Sequence, residues 1–234
     1  MNKKWLAGPY LVWMVGFIVI PLLLIVYYGL TDKSGAFTLA NVLSISTPEH
    51  VKALYLSLGL SLVSTVICLL LAYPLAMILR NRGIGQGSFI VFIFILPMWM
   101  NFLLRTLAWQ TLLEKSGVIN GILTALHLPN QSLINTPGAI ILGMVYNFLP
   151  FMVLPIYNVL CKIDDNTINA ARDLGASFTQ TLLWVWLPLS VPGIISGITM
   201  VFVPSLTTFV ISNLLGGSKI LLIGNVIEQE FTKG

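Results

Sequence analysis

The chain has 234 residues, of which 57% are hydrophobic and only 9% charged, with a formal net charge of +4 at pH 7. A soluble domain carries about 25% charged residues, so this composition excludes an ordinary water-soluble surface. The Lys and Arg residues stand singly or in pairs between apolar runs and build no basic face, which excludes a nucleic-acid partner.

Uncharged stretches cover residues 5–31, 53–79, 83–104, 128–161 and 174–218, and about 20 such residues cross a bilayer core as a helix. The expectation is an all-α, polytopic membrane helical bundle forming one transmembrane domain over 1–234. Its five predicted spans lie at about 5–30, 53–79, 88–112, 137–161 and 188–213.

The first span follows Lys3 and Lys4 and is too long for the apolar core of a signal peptide, so it is expected to be retained. Pro9 and Pro21 predict a kink in it. Lys and Arg near span ends favour the cytoplasmic side. An inside N-terminus puts Lys3, Lys4, Arg80, Arg82, Lys162 and Arg172 inside and Lys33, Lys52, Lys115, Lys219 and Lys233 outside. Thr31 to Gly35 reads as a turn, and Thr47-Pro48-Glu49 as the start of the next helix.

In the second span Ser57, Ser61, Ala72 and Ala76 supply a slim face for close helix approach. The Gly-containing turn 80–87 follows no strand and is not read as a phosphate loop. The third span turns polar through Trp99, Asn101, Arg105 and Trp109, and Arg105 is read as structural, near the outer end. Residues 114–136 form an outer segment broken by Gly117, Asn120, Gly121, Pro129 and Asn130. Cys68 and Cys161 fall inside spans, where packing rather than a disulfide is expected.

After the fourth span, residues 162–187 turn polar and read as two short helices joined at Gly175. Asp165 or Asn166 can cap the first, Gly175 can end it in the left-handed conformation, and Ser177 with Gln180 has capping-box spacing for the second. Such a unit between two spans suits docking in a groove on a partner. In the fifth span Gly193 and Gly197 read as a packing pair.

At this segment the chain resembles the membrane subunits of binding-protein-dependent ABC importers, whose signature is Glu-Ala-Ala, then Gly, then Ile-x-Leu-Pro. Asn169-Ala170-Ala171, Gly175 and Val185-Trp186-Leu187-Pro188 stand in that register, with departures at Asn169 and Val185. The resemblance implies that 162–187 is a cytoplasmic coupling segment, with Asn169, Ala170, Ala171, Arg172, Asp173, Gly175, Leu187 and Pro188 meeting the ATPase. The stretches 96–109, 117–120, 214–217 and 223–227 resemble the spermidine/putrescine permeases. That likeness implies polyamine import, and six spans, of which the sixth is not found in this chain.

The partners so implied are ATPase subunits, a second permease half, an extracytoplasmic substrate-binding protein and the lipid bilayer. The chain lacks a Gly-x-x-x-x-Gly-Lys-Ser/Thr loop, so no cofactor is expected on it directly and ATP with Mg is assigned to the partner ATPase. It is expected to be a transport component and not an enzyme. No metal site is expected, His50 and His127 being the only histidines.

A polyamine pathway needs aromatic faces, carbonyls, hydroxyls or carboxylates for ammonium groups. The candidates are Trp99, Asn101, Trp109, Tyr146, Asn147, Ser205, Thr207, Thr208 and Asn213. No Asp or Glu falls centrally in any predicted span, which fits a passage better than tight capture. The alternatives are an importer permease for another small solute, or a channel or secondary transporter. The scarcity of ionisable residues within the spans argues against ion coupling.

Overall fold

The computed structural model describes residues 8–32, 35–81, 96, 98–217 and 220–233. They form helices and connecting turns, with one isolated bridge between Thr31 and Phe37. The chain divides into two compact units, Met1–Lys52 and Ala53–Gly234.

In the first unit, helix α1 (Gly8–Gly29) contains a π turn at Val15–Val19 and has no buried residue. Its apolar side chains are those of a helix meant for lipid or for a partner, since water would penalise each of them. The chain reverses after it: Gly35, at φ 78°, donates its N–H to the Asp32 carbonyl, and the Thr38 N–H returns to the Leu30 carbonyl. The side-chain amide of Asn41 holds the turn through the Tyr28 and Thr31 carbonyls.

Helix α2 (Pro48–Asn81) starts in the first unit and supplies a long buried face to the second. Along that face Ser57, Ser61, Ser64, Cys68, Ala72 and Ala76 are all fully buried. The residues recur every three or four positions, so the small side chains lie on one stripe. Then follow α3 (Phe102–Leu113), α4 (Val118–Ala125), α5 (Pro137–Leu160), α6 (Asp165–Asp173), α7 (Phe178–Thr207) and α8 (Ile223–Lys233). Among the described residues α1, α2, α5 and α7 are long and apolar enough to cross a membrane.

Helices α5 and α7 pack antiparallel and make the centre of this unit. A Cβ on Gly193 would stand 2.9 Å from the Pro155 carbonyl oxygen, and one on Gly197 2.7 Å from the Met152 sulfur. Beyond α7, a Cβ on Gly143 would stand 2.5 Å from a side-chain methyl of Leu215, in the π turn Ser212–Gly216. Only hydrogen fits where the two backbones come together, the arrangement that small residues permit between membrane helices.

The first part of the predicted third span, 88–95 and 97, lies outside the described residues. What is seen is a new helix, α3, opening at Phe102 because Asn101 is extended (ψ 127°) and caps it. In the fifth-span region α7 runs unbroken from Phe178 through a π turn at Leu182–Trp186 and ends where Thr208 becomes extended. The polar segment's second helix and that span are thus one element.

Candidate coupling site and substrate pathway

The polar segment is organised by local hydrogen bonds. Asp164, one residue earlier than expected, is the N-cap of α6, accepting the Asn166 N–H at 3.0 Å. At the other end Gly175 has φ 84°, its N–H reaches the Arg172 carbonyl, and the Ala176 N–H reaches the Ala171 carbonyl. These are the two bonds of a Schellman termination, which needs the left-handed residue that glycine adopts without a Cβ clash. The Ser177 and Gln180 pair then forms a full capping box for α7.

Helix α6 buries only Ile168, which fastens it to the core, while Asn169, Ala170, Arg172, Asp173 and Leu174 are exposed. Leu174 is 89% exposed and Trp184 79%. A groove of about 350 Å³ runs between them, lined by Ala171, Gly175, Ala176, Gln180, Thr181 and Val185 among others. Leu187 and Pro188 lie beyond it, at the start of the regular α-helical part of α7.

Arg80, near the end of α2, joins this segment to the helices. Its Nε donates to the Leu160 carbonyl at 3.1 Å, and Nη2 donates to the Ile163 carbonyl at 2.9 Å and to Asp165 Oδ1 at 2.6 Å. The guanidinium carbon lies 4.4 Å from the centroid of the Trp186 ring. Asp165 is 77% exposed, so the ion pair alone contributes at most about 1 kcal/mol. The bonds from a cation to carbonyls are stronger, about 1.5–3 kcal/mol each, and they decide the strength of this junction. Sequence reading counted Arg80 only as an inside charge, since its partners lie 80 or more positions away.

The candidate pathway residues divide into several settings. Asn101 accepts the Leu103 and Leu104 N–H groups, so its carbonyl oxygen serves α3 itself. Ser205 is buried and bonds the Phe202 carbonyl, Thr207 bonds the Val203 carbonyl, and Thr208 ends α7. Asn147 is buried, its amide donating to the Gly143 carbonyl while Oδ1 has no partner among the described residues. Trp109 and Tyr146 make an edge-to-face pair with centroids 5.4 Å apart, and Trp99 is exposed. Asn213 is bonded to Asn225 at 2.6 Å and to Glu228 at 3.3 Å.

The chain is 36% identical over 227 residues to the spermidine/putrescine transport system permease protein PotB of Haemophilus influenzae, covering 94% of this chain and 79% of that protein. With the protein of the same name from Escherichia coli it shares 37% identity, covering 94% and 82%. This chain belongs to the spermidine/putrescine permease family. No family model matches it. In shape it is similar to a bacterial ABC transporter involved in the import of the acidic polysaccharide alginate, with a TM-score of 0.71, 18% identity, and coverage of all of this chain and 86% of that one. That likeness shows the ABC importer permease fold.

As a permease of this family the chain is a transport component rather than an enzyme, and a multi-pass protein of the cytoplasmic membrane. Two permease residues escaped sequence reading besides Arg80. Asn225 is buried, and its side chain bonds the Leu222 N–H, the Phe209 carbonyl and Asn213. Glu228 brings a carboxylate to Asn213 from α8, just past the stretch 223–227 that carries the permease likeness. The signal available was the Asn225 to Glu228 spacing on one helical face.

Proposed function

We propose that this chain forms one half of the substrate pathway of an ATP-driven importer that carries polyamines, spermidine or putrescine, into the cell. The observation that carries the coupling part is the segment Asp164–Thr181. A helix capped at both ends exposes an apolar rim and a groove, and continues through a capping box into α7. A partner ATPase docks there through Asn169, Ala170, Ala171, Arg172, Asp173 and Gly175, and Leu187 and Pro188 carry its movement into α7. ATP and Mg act on that ATPase.

A second permease half completes the pathway, and an extracytoplasmic binding protein delivers the substrate. The segment 162–187 and the N-terminus both face the cytoplasm. The polyamine reading is supported by the names of the relatives and by groups suited to ammonium ions. Those groups are the aromatic faces of Trp99, Trp109 and Tyr146, and the Asn213 amide beside the Glu228 carboxylate. Asn147, Ser205, Thr207 and Thr208 serve mainly helix structure. Arg105 and the absence of mid-span carboxylates favour brief contact over tight capture.

The test combines two measurements. A cysteine replacing Ala171 is expected to crosslink to the ATPase in the intact complex; an intact complex without a crosslink removes the docking assignment. The complete importer in liposomes is expected to take up spermidine or putrescine in preference to sulfate or ferric ion. Uptake of an anion alone overturns the substrate.

A further inference from the structure

Arg80 touches four elements at once, and no feature of docking or of substrate passage requires it to. It leaves from the last turn of α2, donates to carbonyls at the end of α5 and in the turn after it, pairs with the first-turn acid of α6, and lies against Trp186 of α7. Its side chain is 13% exposed, so it does not reach outward to lipid headgroups as an interfacial arginine does. The end of a helix carries partial negative charge on its unsatisfied carbonyls, and the start of one favours an acid. Leu160 ends α5 and Asp165 begins α6, so one cation meets both the carbonyl end of α5 and the carboxylate that opens α6.

We propose that Arg80 is the positioning residue that makes α6 move together with α2, α5 and α7, so that displacement of the coupling segment becomes displacement of the membrane helices. The inference rests on the assignment of 162–187 as the ATPase contact. The shape of the group matters as much as its charge. A guanidinium directs Nε and Nη2 along fixed, separate lines and offers a flat face to an aromatic ring, whereas a lysine ammonium is a single point on a flexible stem. Trp186 is 3% exposed and closes the π turn of α7, so it supplies the fourth side of the junction from a rigid place. A purely electrostatic anchor does not need this geometry.

The experiment uses the complete importer in liposomes and measures polyamine uptake per ATP hydrolysed, with the Ala171 crosslink to the ATPase as a second readout. Arg80→Lys, which keeps the charge, is expected to lower uptake per ATP about tenfold while the crosslink still forms. Asp165→Asn, which removes only the charge of the exposed partner, is expected to lower it about twofold. If Arg80→Lys retains the ratio with the crosslink present, or lowers uptake and hydrolysis in equal proportion, the proposal is overturned. Should Arg80→Lys fail to assemble, Asp165→Asn decides alone, and an unchanged ratio overturns it. A complex that forms no crosslink without any change at Arg80 removes the underlying assignment instead, and the inference with it.

Discussion

Two arginines of the second unit show how differently the same side chain is housed. Arg80, at the end of α2 beside α6, is surrounded by acceptors and an aromatic face. Arg105, on α3, is 6% exposed, and its Nε and Nη1 have no partner among the described residues. The first region is complete within the chain, its charge offset by carbonyls, a carboxylate and a ring. In the second, among the described residues, Nε and Nη1 lack the hydrogen bonds that offset the desolvation of a charge. The Arg80 junction therefore has its geometry set by groups of this chain alone.

Opposite signs of effect give the sharpest test of that contrast. Arg80→Met is expected to destabilise the detergent-solubilised chain by about 3 kcal/mol, the cost of losing charged bonds to buried carbonyls. Arg105→Met is expected to stabilise it by about 2 kcal/mol, as an uncompensated buried charge is replaced by an apolar side chain. Both are read as shifts in thermal unfolding followed by tryptophan fluorescence. If both variants move the midpoint downward, Arg105 is compensated after all and the contrast fails.

Packing between α5 and α7 supports both regions and gives a third, intermediate effect. Gly193→Ala places a methyl group 2.9 Å from the Pro155 carbonyl oxygen and is expected to cost about 1–3 kcal/mol. The same thermal measurement checks it. An unchanged midpoint means that the helices can separate freely. Smallest are the local changes around α6: Gly175→Ala, at φ 84°, costs about 1–2 kcal/mol, and Asp164→Ala, losing a cap, about 1 kcal/mol. Amide hydrogen exchange over 164–176 reports these two, with faster exchange expected there and unchanged protection in α5.

What could be read in advance follows the range of each interaction. The glycine termination and the Ser177 and Gln180 box span three to five positions, so spacing alone reveals them. The slim stripe of α2 repeats within one helix and is equally legible. Capping of α6 was displaced by one residue because Asp164, Asp165 and Asn166 all suit the role, and only backbone angles choose among them. The junction at Arg80 and the bond from the Ile223 N–H to the Ser57 hydroxyl join residues 80 to 166 positions apart. No periodicity carries such pairs. Asn101 was read as a pathway residue because polarity in an apolar span attracts that interpretation, although Asn before an apolar run is also a helix-start signal.

The continuity of α7 has a mechanical meaning. Its 30 residues make a rod about 45 Å long, with one end next to the docking groove and the other at Thr207. Pivoted midway, where the Gly193 contact holds it to α5, such a beam passes a stroke from one end to the other nearly undiminished: a tilt of about 10° sweeps each tip through about 4 Å. A nudge at the end beside the groove thus reappears at Thr207 with nearly its full amplitude and the opposite sense.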